Sequence, residues 1–333
     1  MKRIAIQTSD NRIWNKSLIY SQITESVVLG EKFALDFLQE GPDIQSLGLY
    51  AFLDHLANKF NYSLKNITVF TANILEQHKE ISIVYHPPIH LVKNAKDYIA
   101  NTVKKNKLKH FGIFINRGNV HRLHLTSYLH KFFKEQSLIN YHFHLNDDLH
   151  LSNIGLEEIV KRYNTKDVSM ESDFLQHCPI KASNTDSIVI DKSLLLNPAQ
   201  QLLVNDKESF VQLYQDFFVE IVCETYHTGQ TFFPTEKIFR PILLKTPFIV
   251  QGPRFFLKNM EKLGFKTFSK WWNEAYSEDP DISQIIEIKR VINFLSKQNS
   301  DQLYQMYLDM QDTIEHNYSC ALNLTANDFK KIK

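Results

Sequence analysis

Short apolar runs and amphipathic stretches alternate along this chain. "RIAIQ" near the start reads as a strand, and "DIQSLGLYAFLDHLANKF" places Leu49, Phe52, Leu53, Leu56 and Phe60 at helical spacing, which predicts a helix over 43–60. "NITVFTAN" and "ISIVYHPP" are β-branched or aromatic runs closed by turn residues and predict two further strands, while "AKDYIANTVKKNK" predicts a surface helix. The pattern restarts at "KHFGIFINRGN", a strand, followed by a helix over "VHRLHLTSYLHKFFKEQ" and a strand over "LINYHFHL". After a loop-rich stretch (165–185), "SIVID" and "FFVEIVCET" read as strands separated by the helix "AQQLLVNDKESFVQLY". "PFIV" is then a buried strand, "PRFFLKNMEKLGF" a helix, 281–316 is helical, and a polar tail closes the chain. Strands that alternate with helices imply parallel sheets, so the expected fold class is α/β.

At 333 residues the chain can bury two cores. The basic connector "KKNKLK" suggests a division into 1–106 and 107–333. Composition is globular, with 43% hydrophobic and 23% charged residues. Nine glycines and ten prolines argue against long disordered linkers. A net charge of +1 offers no global field for polyanions, so nucleic acid is not an expected partner, and peripheral attachment to a membrane stays open. Cys178, Cys223 and Cys320 match no zinc or disulfide spacing, which suggests a reducing compartment. The start "MKRIAIQTSDNRIW" turns polar too soon for a secretory leader, and a cytoplasmic location is expected.

Candidate chemistry concentrates in two segments. In "FFPTEKIFRPILLKTPFIVQGP", Thr235 at a helix N-cap leaves backbone N–H groups directed outward, an arrangement that suits phosphate. Lys237 then supplies a point charge to a diphosphate, and Glu236 accepts from ribose hydroxyls. The plain alternative is a capped surface helix with a solvated Glu-Lys pair. Pro241 is awkward in the second turn, where it removes a hydrogen bond, so a later start or a kink is expected. In "FGIFINRGNVHRLHLTSYL", a strand that runs through a polar turn into a helix puts Asn116, Arg117 and Arg122 near the carboxyl edge of a parallel sheet, where ligands of open α/β sheets bind. His142, His144 and His150 complete no ligand spacing, so no metal site is expected there, and Asp147-Asp148 reads as a turn. Trp271, Trp272 and Tyr276 read as packing.

Taken in order, these segments resemble the donor-binding core of the α1,3-fucosyltransferases and related glycosyltransferases of the GT-B type, over roughly residues 108 to 290. The features that match are Asn116 and Arg122, then Glu224 at a strand end, then Thr235-Glu236-Lys237, then Gly252. The pattern's aromatic before the triplet is met loosely by Phe232 and Phe233, with Pro234 intervening, and the N-terminal third has no clear match. The resemblance implies two Rossmann-like domains facing across a cleft, and transfer of a sugar from a nucleoside-diphosphate donor to a hydroxyl of a glycan or glycoconjugate. Asn116, Arg117, Arg122, Glu224, Thr235, Glu236 and Lys237 would hold the donor. No metal cofactor is expected, because the diphosphate site is cationic and no DxD-type acidic cluster adjoins it. If the reaction inverts, the base belongs to the N-terminal domain; Glu40 before Gly41-Pro42 is the first candidate, with Asp36 on a shared helical face and His86 next. A non-catalytic nucleotide- or glycan-binding module and a phage-type DNA-modifying glycosyltransferase remain as alternatives.

Overall fold

The computed structural model describes residues 1–9, 12–38, 40–95, 109–115, 118–141, 156–157, 159–161, 163, 167–180, 182, 211–279 and 281–332. The fold is α/β, with two four-stranded parallel sheets and a short antiparallel hairpin of β2 (Thr8–Ser9) and β3 (Arg12–Ile13).

The first sheet runs in chain order: β1 (Lys2–Ala5), β4 (Phe33–Asp36), β5 (Ile67–Thr71) and β6 (Ser82–Tyr85). Ile4, Leu35 and Val69 are in register, and with Phe33 and Ile67 they face a core shared with α1 (Lys16–Val28) and α2 (Leu49–Phe60). From α1 come Ile19, Ile23 and Val27, and from α2 Leu49, Leu53 and Leu56, each set one helical stripe. Helix α1 and strand β4 were not among the elements expected above. The helix starts at a left-handed Asn15 with no side-chain cap and no acidic first turn, so the usual start signals are missing, and the strand is four residues long. Helix α2 starts at Leu49 rather than Asp43. Gly48 at φ 72 breaks the run, and the Asp43 carboxylate accepts from Ser46 N and Oγ to close a turn instead.

The second sheet has the order β10-β9-β7-β8, made of β7 (Lys109–Ile115), β8 (Ser137–Tyr141), β9 (Phe217–Cys223) and β10 (Phe248–Gln251). From β7 the chain crosses to β8 through α4 (Val120–Phe133), and from β9 it crosses the opposite way to β10 through α6 (Glu236–Leu243). Right-handed crossovers in opposite directions put the two helices on opposite faces. Helix α4 accordingly shares its side with α8 (Asp281–Leu295) through Lys289 and His124, while α6 packs against α10 (Gln311–Asn323). Between these in the chain lie α7 (Phe256–Lys262), α9 (Ser300–Asp309) and, within the stretch expected to be loop-rich, α5 (Ser169–Gln176). Chain direction reverses between β7 and β9, and a doubly wound sheet opens its ligand crevice at that point.

The free edge of β10 is covered rather than left open to pairing: Val250 N donates to the buried Tyr276 hydroxyl. Trp272 stacks on Phe268 at 5.4 Å and is buried, so this aromatic stretch is packing, as expected. Glu274 is buried beside it, and desolvation, only partly offset by donors around Phe268, pushes its carboxyl up to about 7. A carboxyl whose folded value is raised adds no stabilising pull once ionised. The protein should therefore lose stability as pH rises from about 4.5 through about 7. Glu274→Gln should flatten that slope in urea titrations between pH 5 and 8; an unchanged slope would show that Glu274 is ionised throughout. The chain end is not a free polar tail: α11 (Ala326–Phe329) and the turn after it bury Phe329 and Ile332 in the second core.

The expected division near residue 106 lies outside the described residues, as do most of the predicted surface helix 95–107 and the predicted strand "SIVID". Before that point, α3 (Ile89–Ala95), which follows the last strand of the first sheet, already packs on the second core through Ile89 and Val92.

Candidate functional site

Both sheets turn their carboxyl ends toward one another. The loops that leave β1, β4 and β5 carry Thr8, Glu40–Asp43 and Ala72–Asn73, and all of them meet the loop that leaves β9, residues 224–235. Asn73, which is buried, bonds twice across this seam: Nδ2 donates to Gln230 O at 3.0 Å and Oδ1 accepts from Phe232 N at 3.1 Å. Asp43 accepts from Gln230 N at 2.8 Å, and the Thr231 hydroxyl donates to Gly41 O. A Cβ on Gly41 would lie 2.7 Å from Phe233 Cβ, so only glycine allows the approach. Below it, Tyr50 and Ile44 N donate to the Glu76 carboxylate, which holds the Asn73 loop in shape.

Within this frame the loop after β9 leads into α6, and the expected cap is present. Thr235 Oγ1 accepts from Lys237 N and gives its own proton to Glu224 Oε2 at 2.5 Å, while Glu224 Oε1 accepts from Thr235 N at 3.2 Å. The helix begins at Glu236, not later, and Pro241 lies inside it. The bond lost is the one to Lys237 O, and α6 ends two residues beyond the proline, where Thr246 N donates to Pro241 O. Lys237 Nζ closes the cluster with bonds to Glu236 Oε1 at 2.8 Å and Thr225 Oγ1 at 3.1 Å.

Arg122 reaches the same place from the other side of the crevice. Asn119 caps α4 by accepting from Arg122 N, and the Arg122 guanidinium donates to Glu224 O at 3.1 Å and Cys223 O at 3.3 Å. It is buried, so its charge lies beneath the loop rather than at its surface. Arg122, Glu224, Thr235, Glu236 and Lys237, which lie in segments about a hundred residues apart, thus form one network. Asn116 and Arg117 lie outside the described residues, as do His142, His144, His150, Asp147 and Asp148.

Burial raises the Glu224 carboxyl, with Lys237 and the Thr235 hydroxyl offsetting part of the cost. Burial also works to raise Glu236, but Lys237 and the hydrogen bonds it accepts hold it below the usual range. The two neighbouring carboxyls are thus pushed in opposite directions, Glu224 up by burial and Glu236 down by Lys237, while both accept hydrogen bonds.

The N-terminal carboxylates separate. Glu40 is on the seam, where its Oε2 accepts from the buried Tyr226 hydroxyl at 3.0 Å, with Thr8 Oγ1 2.7 Å from that hydroxyl. Asp36 ends strand β4 and accepts from Leu38 N and Arg3. The two do not share a helical face as expected, because a strand and a loop occupy that stretch. His86 is exposed and stacks on Phe70 at 5.5 Å.

Three residues at the crevice were missed by sequence reasoning. His121, in the first turn of α4, lies against His227 of the β9 loop, ring centroids 3.6 Å apart with the rings tilted by 31° and both buried. His90 on α3 is half-buried and close enough to feel the Glu236 charge. A lone "PPIH" carries no motif, and only the docking of α3 on α6 reveals it. Among the described residues no group of three metal-ligating side chains occurs, and no helix is long and apolar enough to cross a membrane. Comparison of the chain with protein-family models, curated proteins and solved structures finds no match.

Proposed function

We propose that this protein is a nucleotide-sugar-dependent glycosyltransferase of the two-domain GT-B kind, which moves a sugar from a nucleoside-diphosphate donor to a hydroxyl of a glycan or glycoconjugate. The observation that carries this reading is the gathering of Arg122, Glu224, Thr235, Glu236 and Lys237 into one network at the switch point of the second sheet, opposite the carboxyl edge of the first. A donor laid in that crevice would place its diphosphate near Lys237 and its ribose near Glu236, and Asn116 and Arg117, which follow β7 in sequence, are proposed to bind the same donor. As the bond from sugar to phosphate breaks, charge builds on the leaving oxygen. A preorganised cation stabilises that charge more than it stabilises the bound donor. Arg122 contributes from beneath by fixing Glu224 and adding positive potential. Glu40, at the seam, is the first candidate to take the proton of the acceptor hydroxyl, with Asp36 second.

These cations do the work that a divalent ion does in other sugar-nucleotide sites, so turnover is expected to survive chelation. Loss of all activity in EDTA, restored by Mn²⁺, would overturn that part. The second reading, a binding module without catalysis, draws on the way Glu236, Thr225 and Thr235 already engage Lys237. A thermal-shift screen of UDP, GDP, ADP and CDP with their sugars, followed by release assays on each stabilising donor, separates the two. A sugar nucleotide that stabilises and is turned over supports the transferase. One that only stabilises, with every acceptor and with water, supports the module.

A further inference from the structure

Helix α3 belongs to the first lobe by sequence but docks on the second. Ile89 and Val92 enter the second core, and Leu91 packs with Ala72, Tyr226 and Phe233 in a small cluster at the seam. With those three positions committed to packing, His90 is left beside the first turn of α6, half-buried and near Glu236. We propose that His90 reaches across the lobe boundary to contact the donor's diphosphate, and takes up a proton when that anion binds. The inference rests on the donor site described above and assigns it a residue from the opposite lobe.

The physical reason is electrostatic. Burial keeps the His90 imidazole below its ordinary value, against the pull of Glu236, so it is neutral at pH 7.5 in the empty site. A bound diphosphate is an anion, and an anion within hydrogen-bond reach favours imidazolium. The proton comes from solvent, no bond to carbon changes, and the imidazolium becomes a charge-assisted donor to a phosphate oxygen. The other ionisable groups around the site are Glu236 and Lys237 on α6, Glu224, Tyr226 and His227 on the β9 loop, His121 and Arg122 on α4, Glu40 from the first lobe, and Tyr85 and His86 just before α3. Arg240 on α6 is turned into the core toward Glu220. Among these, Glu224, His121 and His227 are further groups on which an anion would hold a proton, so the test must isolate His90.

Isothermal titration calorimetry with UDP, GDP, ADP and CDP, each in Tris, HEPES and MOPS at pH 7.5, reads proton uptake from the buffer dependence of the binding enthalpy. For the diphosphate that binds, the wild-type protein is expected to take up a fraction of a proton. H90Q is expected to bind about threefold to tenfold more weakly with the uptake largely lost. H90K, with a permanent charge, is expected to bind near wild-type strength, also without His-linked uptake. Equal enthalpies in all buffers, or full uptake retained in both variants, would overturn the proposal while leaving the donor site standing. If no nucleoside diphosphate binds the wild-type protein, the donor-site reading falls, and this inference falls with it.

Discussion

Glu220→Ala is expected to remove about 3–5 kcal/mol of stability, the cost of stripping one partner from a buried ion pair. Glu220 sits in the middle of β9 with no exposure. Its carboxylate accepts from the Arg240 guanidinium and, at 2.6 Å, from the Tyr214 hydroxyl, which itself accepts from Arg240 Nε at 2.6 Å. The Phe114 ring lies 5.4 Å from the guanidinium carbon and closes the pocket to water. Alanine would leave a cation on α6 surrounded by aromatics and facing a methyl group. Arg240 shares α6 with Thr235, its cap, and with Lys237, so the loss should loosen the site as well as the core. Urea unfolding of the variant is the measurement, read as a lower midpoint at unchanged slope. Glu220→Gln, which retains an acceptor, should lose clearly less. A Glu220→Ala midpoint within error of wild type would mean that the triad contributes little.

Lys237→Ala is expected to lower kcat/KM for the donor by roughly 2–4 kcal/mol of transition-state stabilisation, a factor on the order of 30 to 10³. The side chain is about a quarter exposed, and its three bonds, to Glu236, Thr225 and Thr235, hold the ammonium at the mouth of the crevice rather than in the core. Its removal also leaves Glu236 and the buried Glu224 without their nearest cation, which deepens the negative potential where a diphosphate must sit. Stability should change far less than activity, because the ion pair is partly solvated. Lys237→Arg should recover only part of the rate, since a planar fork does not reproduce one point charge among three converging oxygens. Wild-type kinetics in the alanine variant would return Thr235-Glu236-Lys237 to an ordinary capped helix.

Much of the second lobe was legible in the sequence because its signals are local. The apolar run of β9, the polar turn into α4 and the Thr235 cap each lie within about ten residues, and strand and helix periods read them directly. The first lobe was harder. Helix α1 lacks a side-chain cap, and β4 is too short for its alternation to stand out. A helical face shared by Asp36 and Glu40 was read from carboxylates four residues apart, with Glu40 at a strand or helix end, and that spacing says nothing when β4 pairs Asp36 into a sheet.

By itself the sequence determined the α/β class, the strands of the second sheet, the Thr235 cap and the residue types available for anion binding. Each follows from side-chain period or capping chemistry within a few turns of chain. Only the tertiary structure decided that Arg122 lies under Glu224, that Tyr226 joins Glu40 across 186 residues, that Gly41 is needed against Phe233, and that α3 carries His90 to the second lobe. Those relations depend on which sheet edges face each other and on where a helix finds an apolar surface to cover. No local spacing encodes that, because the burial that drives it is shared between segments far apart in the chain.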